Sequence, residues 1–251
     1  MELTCCRVCL STELRLCRQV RGFSFMRCAN CSFVQLKDCP SAAETNIIYG
    51  EKYYPSSKYG EQSCLDAENQ RRAALIWGFA DSPVARLLDF GCGPGDFVAH
   101  LHSHCEAEGC DISAAAIRMA KENHPEIAER FCCLKPGIPL PYNQRFDVIC
   151  MWDVLEHLGD PLPVISEVLE CLRPGGIFCL STPDFGSAAA RLLGRWWWFL
   201  TPPEHQSFFN RASLCYALRK VLNLEPLYIR SQGKRTTVAF MLYKFARVLP
   251  D

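Results

Sequence analysis

The sequence predicts an α/β protein: a doubly wound, mostly parallel sheet with a small cysteine-rich ribbon at its N-terminus. Three observations predict it. Short apolar runs alternate with helical patterns between residues 85 and 181, as in a parallel sheet covered on both faces. One run, Leu87–Phe90, ends in a turn with glycines at alternate positions, Gly91, Gly93 and Gly95. Ahead of the sheet stand two Cys-x-x-Cys pairs, Cys6/Cys9 and Cys28/Cys31.

Composition narrows the classes. A chain of 251 residues, 49% hydrophobic, holds one α/β domain with a small appendage. Basic and acidic residues number 27 each. That balance argues against a strong polyanion partner such as nucleic acid, while leaving room for a local basic patch. No apolar run reaches the roughly 18 residues of a membrane span, and no apolar leader follows a basic start. Of the 17 cysteines, Cys92, Cys132, Cys133, Cys150, Cys171 and Cys179 lie in apolar runs. They read as small buried hydrophobes rather than disulfide partners, and a reducing, cytoplasmic setting is expected.

Residues 1–39 form the ribbon. Zinc takes four soft thiolates in a tetrahedron, and each knuckle presents two from one turn. The expected ligands are Cys6, Cys9, Cys28 and Cys31, with Cys5 an alternative to Cys6. Four protein ligands leave no open position, so such a metal is structural and its binding is tied to folding. A redox dithiol or incidental cysteines are the alternatives. The glycine that commonly follows the second cysteine of a knuckle is replaced by Leu10 and Ser32. Leu14–Arg27 has the pattern of a β-hairpin. Arg7, Arg15, Arg18, Arg21 and Arg27 make the segment basic, so a nucleic-acid-binding ribbon is the other reading, without the interleaved aromatics it would need.

Residues 40–84 read as a helical cap or linker. Tyr49, Tyr53 and Tyr54 cluster before Pro55, and Asp66–Phe79 has helical apolar spacing. These tyrosines either wall a pocket or pack the ribbon on the core.

The core occupies residues 85–251. Its first strand ends near Asp89, and glycine tolerates φ > 0 and carries no Cβ, so a ligand can lie directly on the turn that follows. A dinucleotide fingerprint requires a third glycine where Asp96 stands, and Pro94 stiffens the turn. A nicotinamide oxidoreductase is thereby disfavoured. Glu106–Cys110 is the second strand and leads to Asp111, placed to bind the ribose hydroxyls of an adenosine. Ser113 caps a helix over Ala114–Glu122. Arg130–Leu134 is the third strand and Phe146–Met151 the fourth. Asp160 and Pro161 open a helix that ends near Leu172. Arg173–Gly176 breaks it, Ile177–Ser181 is the fifth strand, and Leu222–Arg230 reads as a sixth.

The order LLDFGCGPG, GCDIS, FDVICMWDVLEHL, LRPGGIFCLSTPD resembles the ubiquinone-biosynthesis-type branch of class I S-adenosylmethionine (SAM)-dependent methyltransferases over about residues 85–185. The resemblance implies a Rossmann-like sheet and a SAM site formed by Asp89, Gly91, Cys92, Gly93, Gly95, Asp111, Ile112 and Met151. The acidic residue many relatives carry after the third strand is missing, and Leu134-Lys135-Pro136-Gly137 stands there. In the ubiquinone-type enzymes a Glu-x-x-Glu-His segment binds a divalent cation, which maps a Mg²⁺ site onto Asp153 and Glu156. A ribbon before such a core is similar to the sugar C-methyltransferases, whose Glu-His pair after the fifth strand supplies the base. Glu204 and His205 match that pair, but Pro202 replaces their tyrosine. A class I sheet also ends on an antiparallel strand. Thr236–Tyr243 is a candidate, yet Val238, Met241, Leu242, Phe245 and Leu249 recur at helical spacing, so a helix is the favoured reading of these residues and the strand the alternative.

Methyl transfer needs positioning and, for an acidic acceptor, a base near neutral pH. His205 is the first candidate, oriented by Glu204, and His157 the second. Packing roles are the alternative for both. His100, His102, His104 and His124 are expected to be solvated. Trp196–Trp198 and Phe199 form a pocket wall, a packed lid or a membrane-surface contact. The implied acceptor is a small molecule: a sugar, a phenol or quinone-like compound, or a secondary metabolite. A non-catalytic SAM-binding or scaffold protein is the alternative.

Overall fold

The computed structural model describes residues 4–50, 62–135, 137–142 and 146–233. Among the described residues, five parallel strands form the main sheet in the order β6-β5-β4-β7-β8. They are β4 (Arg86–Phe90), β5 (Glu106–Asp111), β6 (Phe131–Cys133), β7 (Phe146–Trp152) and β8 (Leu172–Ser181). The chain runs outward from β4 to β6 and then returns to the other side of β4 with β7. The carboxyl ends of β4 and β7 therefore flank the crevice where ligands bind in open α/β sheets.

Strand alternation sends neighbouring residues to opposite faces. Leu87, Val148 and Cys150 pack on one face with Ile76, Phe97, Val98 and Ile117. These partners come from α2 (Gln62–Phe79), α3 (Asp96–Leu101) and α4 (Ala114–Asn123). Leu88, Cys110, Ile149 and Met151 pack on the other with Leu162, Ile165 and Val168 of α5 (Pro161–Glu170). Ser113 caps α4 by accepting from the Ala116 amide, as its residue type predicts.

The ribbon is a second sheet. β1 (Leu14–Val20) and β2 (Phe23–Cys28) form the expected hairpin, and β3 (Val34–Leu36) follows. Its fourth strand is β9 (Ser207–Phe208), from beyond the main sheet; Val34 pairs with Phe208 and Gln35 with Ser207. Phe33 and Phe209 meet at 4.7 Å between ring centroids, and Cys6, Val8 and Phe33 share one buried cluster with Ile149 and Met151. Between ribbon and core lies α1 (Ala42–Ile48), started by a capping box of Ser41 and Glu44.

Several expectations are corrected. Leu222–Arg230 forms no strand: a π-turn over Ala217–Val221 precedes it, Asn223 takes φ 54°, and Pro226 offers no N–H to a ladder. β8 starts at Leu172, so Arg173–Gly176 lies inside the strand, where the register with β7 shifts. His124 is half-buried against Phe131, with Nε2 out of water. Cys133 is exposed, not buried. Thr236–Tyr243 lies outside the described residues, as do Tyr53 and Tyr54. Among the described residues no helix is long and apolar enough to cross a membrane.

Candidate active site

The glycine turn joins β4 to α3. Gly91, Gly93 and Gly95 all have positive φ, and the Gly91 and Cys92 amides donate to the Cys110 carbonyl. A Cβ at Gly91 would lie 2.5 Å from Val154, and one at Gly95 2.7 Å from the Phe131 ring. The glycines thus serve close packing as well as a bare backbone.

Asp89 lies beneath this turn, buried, and among the described residues its Oδ1 has no hydrogen-bond partner. Burial pushes its carboxyl up to about 7, against the opposing pull of the Arg72 guanidinium. Asp111 Oδ2 accepts from the Gly93 amide at 3.0 Å and Oδ1 from Ser113 at 2.8 Å. Burial still raises its pKa. Of the other expected cofactor residues, Ile112 is exposed while Cys92 and Met151 are packed in the two cores. SAM carries an ammonium and a sulfonium. An unpartnered buried carboxylate oxygen under a bare glycine backbone fits such a cation.

Beyond β7, a 3₁₀ turn over Leu155–His157 carries His157. Its Nδ1 lies 2.9 Å from the Tyr49 hydroxyl and 3.1 Å from the Glu204 carbonyl. His205 sits on the other side, its ring centroid 4.6 Å from that of His157. His205 Nδ1 is 2.6 Å from the Phe199 carbonyl. A carbonyl only accepts, so Nδ1 carries the proton and Nε2 is the basic nitrogen of the neutral ring. Glu156, His157 and His205 each offer a donor atom within 4.8 Å of the others'. The two histidines, 48 positions apart in sequence, thus form one group.

Sequence reasoning missed who surrounds them. The buried carboxylate grouped with both rings is Glu156, whose Oε2 accepts from the Thr182 hydroxyl. Glu204, expected to orient His205, reaches the pair through its main-chain carbonyl, which takes the Tyr49 hydroxyl and faces His157. The Mg²⁺ pair expected at Asp153 and Glu156 receives no support. Asp153 accepts from Arg72 and Ser181 and stands outside the group formed by Glu156 and the histidines. Tyr49 also reaches the loop after β5, because its carbonyl accepts from the Ser113 hydroxyl at 2.7 Å, next to the Asp111 carboxylate that takes the Gly93 amide. The tyrosine cluster hinted at a role for Tyr49; nothing in the pattern around Arg72 pointed to its place beside Asp153. In the tryptophan segment, Trp197 is buried against Phe185 and Phe208, and Phe199 stacks on His205.

At the ribbon, Cys6 and Cys31 sulfurs lie 3.5 Å apart, as do Cys9 and Cys28. All four fall within 4.8 Å of one another. Tetrahedral zinc with bonds of about 2.3 Å sets sulfurs about 3.8 Å apart, so the cage fits that ion. The Cys31 hydrogen bond lowers the Cys6 thiol, and the same bond with burial raises Cys31. Leu10 and Ser32 take φ 60° and 65°, the left-handed conformation that glycine would supply.

Residues 63–226, more than half of the chain, match a family described as a methyltransferase domain. The chain belongs to the methyltransferase domain family. Its sheet order and glycine turn are those expected of the class I, Rossmann-like members. It is 34% identical over 130 residues to a mitochondrial ubiquinone biosynthesis O-methyltransferase of Candida albicans, covering 49% of this chain and 39% of the relative. It is 30% identical over 171 residues to the ubiquinone biosynthesis O-methyltransferase of Cereibacter sphaeroides, covering 57% and 65%. This methyltransferase-domain chain thus spans less than two thirds of these relatives' lengths. In fold it is similar to the crystal structure of the cyclase SpnF, with a TM-score of 0.50 at 23% identity, covering 66% of this chain and 59% of that one. The family match leaves the cysteine ribbon outside it.

Proposed function

We propose that this protein transfers the methyl group of SAM to a small-molecule acceptor, and that the His157–His205 group takes the acceptor's proton. The observation that carries the reading is Tyr49. Its hydroxyl meets His157 and its carbonyl meets Ser113, whose amide donates to the same Asp111 carboxylate that accepts from Gly93 of the glycine turn. Base and cofactor subsite are thereby one crevice at the carboxyl edge of the sheet.

When bound, SAM supplies a methyl group already activated for displacement, so the chain's own work is positioning, drying and proton removal. Asp89 would face the ammonium of SAM, with Gly91, Cys92, Gly93 and Gly95 leaving room for it. Asp111, Ile112 and Met151 would frame the adenosine. His205 presents Nε2 as proton acceptor because Phe199 fixes its tautomer. Buried Glu156 stabilises the imidazolium that forms. The acceptor loses a proton from oxygen or carbon to His205 and gains the methyl at the same atom. Phe199, stacked on His205, gives a flat apolar wall suited to a ring. An acidic phenol or quinone-like acceptor, or a sugar, answers that description. The expected sugar-enzyme tyrosine is Pro202 here, but Tyr49 supplies a phenol to the same group.

Zinc at Cys6, Cys9, Cys28 and Cys31 is part of the proposal, in a structural role, and a cytoplasmic setting agrees with 17 free thiols. A second reading is a SAM-binding protein without turnover. Pro202 favours it, because it stands where the sugar enzymes carry a tyrosine.

His205→Ala decides between them. It should leave SAM binding within about twofold by calorimetry while lowering methyl transfer by roughly 10²–10⁴. A wild-type protein that binds SAM but methylates none of a phenol, quinol and sugar panel would support the second reading.

A further inference from the structure

We infer that Gln206 is a positioning residue that sets the spacing of His157 and His205, an inference that rests on the proposed role of that pair. Gln206 is buried and stands next to His205. Its main chain works in two directions at once. The amide donates to the Glu156 carbonyl at 2.6 Å, and the carbonyl accepts from the Leu36 amide of β3 at 2.7 Å. Its side chain makes a third link, Nε2 donating to the His157 carbonyl at 3.1 Å. The next residue adds a fourth, with Ser207 Oγ donating to the Leu158 carbonyl at 2.5 Å. Three successive carbonyls of the turn after β7 are thus satisfied by two successive residues of the segment carrying His205.

The chemistry of this joint demands an amide. The last carbonyls of a short 3₁₀ turn have no partner within it. A buried carbonyl stripped of its donor is costly, so the turn would shift to find another. Methionine fills the volume of glutamine without a donor. Glutamate offers only acceptors and would set a carboxylate against the His157 carbonyl. Room for this side chain is itself specific, because a Cβ at Gly159 would lie 2.9 Å from Gln206 Oε1. The side-chain bond fixes His157, the main chain fixes His205, and Leu36 anchors both to the ribbon. A single residue therefore couples the two rings without touching either reacting atom.

The test uses the full chain with Gln206→Met and Gln206→Glu, each checked for metal content and cooperative unfolding. Gln206→Met should lower kcat by about 10- to 100-fold, as expected for a misplaced base, with KM for SAM unchanged. It should also shift the ring proton resonances of both His157 and His205, and Gln206→Glu should shift them further. If Gln206→Met fails to fold, Gly159→Ala displaces the same side chain from outside and should move the same resonances. Ring resonances of both histidines unchanged in a folded variant would overturn the inference. If the wild type transfers no methyl group, the base assignment fails alone, and the ring resonances still decide the role of Gln206.

Discussion

Asp89 holds a proton where an ordinary carboxyl would not. Burial lifts it from 3.8 to about 7, so the apoprotein loses stability as pH rises through that interval, since the unfolded chain releases this proton earlier. A cationic ligand reverses the preference by favouring the charged form. SAM affinity should therefore climb between pH 5.5 and 7.5, by up to about tenfold per unit below 7. Calorimetry in buffers of different ionisation enthalpy should show proton release on binding. Asp89→Asn should weaken binding and flatten the profile; a slope that survives the substitution would remove Asp89 from the site. Leu10 offers a second test. Its left-handed backbone costs roughly 1–2 kcal/mol, partly offset in a glycine variant by the greater freedom of the unfolded chain. Leu10 is 74% exposed, so little packing is lost. Leu10→Gly should tighten metal binding about two- to fivefold in chelator competition; weaker binding would show that the leucine side chain matters.

Among elements, β9 decides the most with the fewest residues. It closes the ribbon sheet and continues directly from the histidine segment. Metal removal should therefore be felt beyond the ribbon. Chelation, or Cys31→Ser, is expected to speed hydrogen exchange at the amides of Leu36 and Gln206 by at least about tenfold while β4 and β5 keep their protection. Uniform loss across the sheet would mean that the ribbon is merely part of the global fold. β4 and β7 were legible because each is a run of apolar residues with a definite end, while β5, a mixed run, was legible from the acidic Asp111 that closes it. β9 was not, since two residues carry no periodicity and its partner lies far upstream. Leu222–Arg230 misled in the opposite way: its apolar residues suit a strand, but Asn223 and Pro226 deny it a ladder.

For the whole molecule, the glycine turn, Asp89, Asp111 and the cysteine cage were readable because each is a local motif whose chemistry follows from spacing. The grouping of Glu156, His157 and His205 was not, because it depends on which loops the sheet order brings to one edge. Both histidines were candidates, but Glu156 was assigned to a metal and Tyr49 to a pocket wall or to packing of the ribbon on the core. Such pairings belong to tertiary structure, and no periodicity encodes them.

The strand exchange between ribbon and core also sets an order of events during synthesis. The cysteines of the ribbon leave the ribosome before β9 does, and a metal could join them while the residues between are unmade. Its outer strand β3 then faces solvent with an unpaired edge until Ser207 and Phe208 arrive. At about 5–20 residues per second that interval lasts roughly 10–30 s. During it the nascent ribbon carries an open strand able to pair with a neighbouring chain. The arrival of β9 closes that edge and delivers His205 to His157 in the same event, so completing the ribbon and assembling the histidine pair are one step of maturation.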